Sequence, residues 1–329
     1  MASPWLSVIM PVHNGENYLK EALDSVVVQA AHDIEVIVLE HGSTDSTHEI
    51  LKEYMSVLPL KVISDSSLND WIPKTNYGIS AAKGQYLSFL HHDDMWLPSR
   101  LDRLKKLSGS FPEVVLFVNP SYYISESGER VGILRCPLPQ HGRPMPSDLV
   151  FGRLLVQNFI SIPAPFFKRE AALRIGPMDE RLWYTADWKY WLQLSMQGPV
   201  IYWPEPLTAY RIHTNAMTVY RSGGLVEFRQ QMDTVLDQYL PIYRKQFYSR
   251  PNIPILAEFS VEANVALAGL VRHQFDDYWG LAARFLRLGP AGWYDFFRFS
   301  RLLERIFSRV RIGLLSRVRQ HIARAGSSN

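Results

Sequence analysis

Four polar side chains in a row, His91-His92-Asp93-Asp94, follow the apolar run Gln85-Tyr86-Leu87-Ser88-Phe89-Leu90. Carboxylates and imidazoles are the donors a divalent cation takes. Asp is equally a helix N-cap and a turn residue, and Pro98 shortly afterwards suits the first turn of a helix. A metal site, a hydrogen-bonded turn and a helix cap all fit this stretch taken alone. Two further polar clusters also end short apolar runs: Val12-His13-Asn14-Gly15 and Glu40-His41-Gly42.

The elements that must carry these clusters alternate between two periods. Leu6–Val12, Ile34–Leu39, Leu60–Ser64, Gln85–Leu90 and Val114–Val118 read as strands. Between them lie helical patterns over Asn17–Gln29, from Ser46 to about Met55, over Thr75–Lys83 and over Pro98–Leu107. Ser46-x-x-Glu49 has the form of a capping box, Asp45 that of a helix cap, and Gly84 that of a helix stop. Such alternation implies right-handed crossovers between parallel strands, an α/β fold. Ligands of such sheets bind at the carboxyl ends of the strands, where all three polar clusters fall. Residues 121–150 read as loops and edge strands, and 151–213 as a further strand-and-helix set. Past a boundary near Ser222-Gly223-Gly224 the pattern is helical to the end, with Ala263–Pro290 as a helical hairpin.

The 329 residues are 47% hydrophobic and 20% charged, enough apolar content for a packed core. A net charge of +3 does not call for a nucleic-acid partner. Cys136, the sole cysteine, excludes an intrachain disulfide framework and fits a reducing compartment. MASPWLSVIM has no basic n-region or long apolar h-region, and no run approaches 18 uninterrupted apolar residues. The expected location is cytoplasmic.

In ordered blocks from Leu6 to about Asn215 the chain resembles the family 2 glycosyltransferases, inverting enzymes that use nucleotide sugars and have the GT-A fold. The blocks are Ser7-Val8-Ile9-Met10-Pro11-Val12-His13-Asn14, Glu40-His41-Gly42-Ser43-Thr44-Asp45, Asn76-Tyr77-Gly78-Ile79 with Ala82-Lys83-Gly84, and Asp93-Asp94 with Leu97-Pro98. Later come Gly176-Pro177-Met178-Asp179-Glu180, Asp187-Trp188 with Trp191-Leu192, and Tyr210-Arg211-Ile212-His213. The resemblance implies a GT-A mixed, mostly parallel sheet flanked by helices over residues 1–222, followed by a helical C-terminal region over 223–329.

It also implies roles. Asp94 would be the ligand of a divalent cation, Mn²⁺ or Mg²⁺, with Asp93 on the ribose or the metal's water shell and His213 on the metal or diphosphate. Asp187 would be the base that takes the acceptor proton; its other reading is a helix N-cap. Pro11, His13, Glu40 and His41 would flank the nucleobase and ribose, and Lys74 would reach the diphosphate; the other reading of Lys74 is a surface lysine. The donor would be a nucleotide sugar, UDP by default. Trp183, Tyr184 and Trp188 are candidate platforms for the acceptor, a glycan or lipid-linked saccharide of cell-surface polysaccharide assembly. The chain departs from the family pattern at His41 and His91 and at Ala186, where relatives carry acids.

The tail from Arg298 to Arg324 has eight arginines, one acid (Glu304) and apolar residues at roughly helical spacing. Such a helix either lies on an anionic membrane surface or packs on the catalytic unit. Two rival functions share parts of this pattern. A sugar-nucleotide nucleotidyltransferase has the same layout but typically a Gly-rich loop with Arg after the first strand, where this chain has Pro11-Val12-His13-Asn14-Gly15. A non-catalytic nucleotide-sugar or glycan-binding module would explain His41, His91 and Ala186.

Overall fold

The computed structural model describes residues 3–213, 224–247, 250–271, 274–275, 277–308 and 311. In chain order the first half runs β1 (Leu6–Val12), α1 (Leu19–Val27), β2 (Ile34–Glu40), α2 (Thr47–Tyr54), β3 (Leu60–Ile63), α3 (Trp71–Ala81), β4 (Tyr86–Phe89), β5 (Met95–Trp96), α4 (Arg100–Ser110) and β6 (Leu116–Val118). It continues with β7 (Ser121–Ile124), β8 (Arg130–Leu134), α5 (Ser147–Val156), β9 (Phe166–Lys168), α6 (Arg169–Ile175), α7 (Ala186–Ser195), β10 (Val200–Tyr202) and β11 (Thr208–Arg211). Among the described residues there follow α8 (Leu225–Ile242), with a π-helical turn over Tyr243–Phe247, α9 (Ile253–Val271), α10 (Tyr278–Arg287), α11 (Gly289–Ser300) and a helical segment over 302–308.

The large sheet has the order β10-β6-β9-β4-β1-β2-β3, parallel except for β9, which runs against β4 and β6. Its central strands are covered on both faces, so β1 is apolar along nearly its whole length and buried throughout. One face packs on α1, α2 and α4 through Leu23, Val26, Leu51, Leu101 and Leu104. The other packs on α3, α5 and α7, and this core continues without a break into Phe228, Met232, Val235, Leu256 and Phe299 of the C-terminal helices. The boundary expected near Ser222-Gly223-Gly224 falls largely outside the described residues.

A second sheet, β5-β11-β7-β8, stands beside the first. β11 runs parallel to β7 and antiparallel to β5. This pairing brings the strand before His213 back to the segment just after Asp94.

Several local readings change for physical reasons. α3 starts at Trp71, four residues before Thr75, because the Asp70 carboxylate accepts from Trp71 N at 2.7 Å and Pro73 fits a first turn. Gly84 does not act as a left-handed helix stop. A Cβ there would sit 2.4 Å from Ser7 N and 2.7 Å from Leu6 C, so glycine serves the close approach of this loop to β1. Ser46 makes no side-chain cap bond. Asp45 does that work, accepting from Thr47 N at 3.1 Å and Thr47 Oγ1 at 2.5 Å.

α9 is the one described helix long and apolar enough to cross a membrane: Ile253–Leu270 has mean hydropathy 1.4. Of that window 61% is buried inside the fold, where Leu256, Ala257 and Phe259 join the shared core.

Candidate active site

β1 has β2 on one side and β4 on the other, while the chain visits β2 and β3 before crossing back to β4. This is the point at which the strand order reverses, and ligands of such sheets bind in a crevice at the carboxyl edge there, here between the loops after β1 and β4. The loops after β1 and β2 are tied together around it. Asn14 N donates to Ser43 Oγ at 2.9 Å, Thr44 N to Asn14 Oδ1 at 2.9 Å, Gly15 N to Thr47 Oγ1 at 2.8 Å and Glu16 N to Asp45 Oδ2 at 3.0 Å. Asn14 holds φ at 48°, a left-handed conformation Asn tolerates.

Asp93 and Asp94 follow β4, and neither caps a helix: α4 begins at Arg100 with Ser99 at its N-cap. Asp94 is buried. Its Oδ1 accepts from Arg211 N at 2.9 Å, and its Oδ2 has no protein partner. Burial and the Asp93 charge push its pKa well above the usual carboxylate range. Asp93 is held below that range: burial opposes ionisation, but a 3.0 Å hydrogen bond to His213 Nε2 and the nearby His92 and His91 outweigh it.

The guanidinium of Arg211 binds these parts together. It is fully buried and donates to Asp93 O at 2.8 Å, Ser125 O at 3.1 Å, Glu126 O at 3.0 Å and Glu21 Oε2 at 2.6 Å. It also lies 4.5 Å from the Tyr18 ring centroid, and that ring packs on His213 at 5.1 Å. Arg211 stands in the Tyr-Arg-Ile-His block, but sequence reasoning gave it no role. An arginine at the end of a strand two residues before a motif histidine was the available signal.

Asp187 sits in the first turn of α7, one residue past the first helical position, so it is not the N-cap; Thr185 is. Its Oδ1 accepts from Trp188 N at 2.7 Å and its Oδ2 from Asn158 Nδ2 at 3.0 Å. Burial outweighs these bonds and raises its pKa to about 6. Tyr210 stands close enough to Asp94, Asp93 and Asp187 for all three, after burial itself, to raise its phenol pKa. The acidic pair and Asp187 are thus brought near one side chain although their positions span some ninety residues of sequence. Asp187, Asn158, Trp188 and Tyr210 line one cavity of about 190 Å³.

The other predicted residues divide. Pro11 is buried within β1 opposite Leu39. His13 is exposed at the crevice, its Nδ1 3.2 Å from His41 O. Glu40 is buried, accepts from Ser43 N at 3.0 Å and has Oε2 2.9 Å from His48 Nε2. Lys74 is not a surface lysine. It is buried, its Nζ donates to Val12 O at 2.6 Å, and burial lowers its pKa against the pull of Glu40 and Asp70. Trp188 is a core residue donating to Leu154 O at 2.7 Å. Trp183 and Tyr184 turn to α8, where Trp183 Nε1 donates to Glu227 Oε1 at 2.6 Å and the Tyr184 ring packs 4.7 Å from Phe228.

The substituted positions have local reasons. Ala186 is fully buried in the shared core, where an acid would be costly. His91 packs edge-on to Trp71 at 5.5 Å, and burial lowers its pKa to about 4, so it is neutral.

The donor set at Asp93, Asp94 and His213 fits a hard divalent cation in its chemistry. The buried, unpartnered Asp94 Oδ2 is the observation that favours a ligand there. Among the described residues no three His, Cys, Asp or Glu side chains are already gathered around one point; Asp93 and His213 bond each other.

Residues 7–167 match the sequence profile of the family described as Glycosyl transferase family 2. An uncharacterized glycosyltransferase of Rickettsia typhi is 30% identical over 238 residues, 69% of this chain and 70% of that protein. One from Haemophilus influenzae is 26% identical over 223 residues, 64% of this chain and 67% of that protein. Among solved structures, S. aureus TarS 1-349 superposes with a TM-score of 0.61 at 16% identity, covering 95% of this chain and 91% of that one. The same protein in complex with UDP-GlcNAc gives 0.59 at 16% identity, over 93% and 88%. The mannosyltransferase PcManGT of Pyrobaculum calidifontis, in complex with GDP-Man and Mn²⁺, gives 0.51 at 15% identity, over 95% and 88%.

Proposed function

The chain belongs to glycosyl transferase family 2, and from that premise we propose that it transfers a sugar from a nucleotide-diphosphate donor to an acceptor hydroxyl with inversion, Asp187 acting as the base. One observation carries this reading: Asp187, its pKa raised to about 6 by burial, shares a cavity with Tyr210, whose phenol also feels the Asp93 and Asp94 charges. A base must be ionised at working pH yet basic enough to accept a proton, and a pKa of about 6 meets both needs near neutrality.

In this mechanism the nucleotide lies in the crevice between the loops after β1 and β4, with His13, Glu40 and His41 on its base and ribose side. The acceptor O–H bond breaks and its proton passes to the Asp187 carboxylate. The acceptor oxygen forms the new bond to C1 from the face opposite the leaving group. The C1–O bond to phosphate breaks, and its electron pair leaves with the nucleoside diphosphate. Asp94, with Asp93 and His213, would hold a Mn²⁺ or Mg²⁺ ion, which neutralises charge on the diphosphate. Arg211 keeps the acidic pair and the His213 strand in register. UDP is the working choice of nucleotide; the UDP-GlcNAc bound by TarS and the GDP-Man bound by PcManGT keep both bases in the screen.

The acceptor is a glycan or lipid-linked saccharide of cell-surface polysaccharide assembly, and the protein works in the cytoplasm against the inner face of the membrane. Supporting that location are exposed Trp279 at 88%, Phe307 at 80% and Leu286 at 64%, alongside exposed Arg287 and Arg298. Aromatic and basic side chains together suit an anionic lipid surface. Residues 309–310 and 312–329, which hold the rest of the basic tail, lie outside the described residues.

The test is a hydrolysis and binding screen of UDP-, GDP- and dTDP-sugars with and without Mn²⁺. Metal-dependent release of a nucleoside diphosphate supports the reading. Formation of a nucleotide sugar from a nucleoside triphosphate and a sugar 1-phosphate, with no such release, would replace it.

A further inference from the structure

The cavity that Asp187 lines has a second wall, and the C-terminal helices build it: Met232 of α8, Ser260 and Asn264 of α9, and Arg305 of the helical segment 302–308. We propose that this cavity takes the terminal glycosyl unit of the acceptor, and that Ser260, Asn264 and Arg305 are specificity-determining residues that read its hydroxyls. The proposal rests on Asp187 being the base.

The lining has the chemistry of a saccharide site. Tyr123, Tyr184 and Tyr210 offer ring surface for the C–H side of a sugar. Gln157, Asn158 and Ser161 line it as well, each with hydrogen bonds of its own to the protein and with amide N–H or hydroxyl capacity left for a sugar hydroxyl. A purely apolar lining would suit a lipid chain, and a strongly basic one a polyphosphate. This cavity is neither.

The far wall is fixed and wired to the base. Arg305 donates to Gln157 Oε1 at 2.7 Å and to Asn264 Oδ1 at 2.8 Å. Asn264 Nδ2 donates to the same Gln157 oxygen at 2.9 Å, and Ser260 Oγ approaches it at 3.3 Å. Gln157 Nε2 reaches Asn158 O at 3.3 Å, and the Asn158 amide holds Asp187. An acceptor that engages this array is referenced to the base through Gln157 and Asn158.

The segment that carries Arg305 is itself docked. Ser308 packs on Gly132 of β8, where a Cβ would meet Ser308 Oγ at 2.1 Å. Glu304 lies 3.4 Å from Arg135 and 3.1 Å from Arg301. The C-terminal region is thus a wall of the acceptor site, and acceptor choice is set partly outside the α/β unit that holds the nucleotide crevice.

The experiment uses the full chain with the donor found in the hydrolysis screen. Methyl β-glycosides of glucose, galactose, mannose, N-acetylglucosamine and glucuronic acid are tested for stimulation of nucleotide release. At least one is expected to stimulate. Its KM should rise at least tenfold in Asn264→Ala and in Arg305→Gln, with the donor KM unchanged. Should Arg305→Gln not fold, as judged by circular dichroism, Asn264→Ala carries the test. An unchanged glycoside KM in the folded variants would overturn the proposal, as would no stimulation by any glycoside. Asp187→Asn separates the two readings: if it keeps wild-type hydrolysis, the base assignment fails; if it loses hydrolysis while the wall variants keep their KM, only the wall fails.

Discussion

Replacing Asp187 by Asn tests the base through two independent quantities. The raised pKa, from 3.8 to about 6, is roughly 2 units, or about 3 kcal/mol at 1.36 kcal/mol per unit. The sign follows from proton counting. Below the unfolded value the carboxyl is protonated in both states and contributes nothing. Between 3.8 and about 6 the folded state keeps a proton that the unfolded state releases, so stability falls as pH rises through this window. Above it the loss of about 3 kcal/mol is complete. Asn carries no charge and escapes this loss, but it has one acceptor oxygen for the two N–H donors of Trp188 and Asn158, which costs about 1 kcal/mol. At pH 7.5 the variant should therefore be about 2 kcal/mol more stable, a Tm rise of roughly 4 °C. At pH 4 that advantage should vanish. Transfer should fall about 10²–10⁴-fold with nucleotide affinity retained, and wild-type kcat/KM should drop about tenfold per unit below pH 6. Calorimetry at both pH values and a nucleotide-release assay measure these. A variant with normal turnover, or one that is inactive but destabilised equally at both pH values, would refute the reasoning.

Asp94→Ala should abolish Mn²⁺-dependent nucleotide binding in calorimetric titration, since it removes the buried oxygen that has no protein partner; unchanged affinity with Mn²⁺ present would exclude the pair as a metal site. Arg211→Leu would strand the carbonyls of Asp93, Ser125 and Glu126, so unfolding in urea should show a loss of about 3 kcal/mol or more. Gly84→Ala drives a methyl group into the β1 backbone at 2.4 Å, and a stability loss of about 1–3 kcal/mol is expected in the same assay.

The order of elements and the edge where polar clusters gather were legible because they are local. Apolar runs such as Ile34–Leu39 and the helical stripe of Asn17–Gln29 report burial directly, and parallel strands must end their polar clusters on one edge. Some helix starts were not legible, because they turn on single side-chain bonds. Asp70 carries the cap bond of α3, which a propensity argument for Thr75 does not see, whereas Asp45 caps α2 as its type suggests. Gly84 was noticed for its type but not for its reason, since the approach of β1 is a long-range contact.

The sequence by itself determined that Asp93-Asp94, Asp187 and His213 belong to ordered blocks of one family, and that the strands place the first of these at a ligand-binding edge. Only the tertiary structure decided how they meet. The raised pKa of Asp187 comes from burial in the folded chain, and the closure of Asp93 on His213 depends on β11 pairing with β5 and on Arg211 spanning both. Lys74 reads as a surface residue until the fold buries it against the end of β1. The C-terminal helices read as a separate extension until their apolar faces are found in the core of the α/β unit, with Arg305 facing the cavity of the base. Periodicity records which face of an element is apolar. It carries no record of which distant element covers that face, and burial, charge coupling and cavity shape all depend on that pairing.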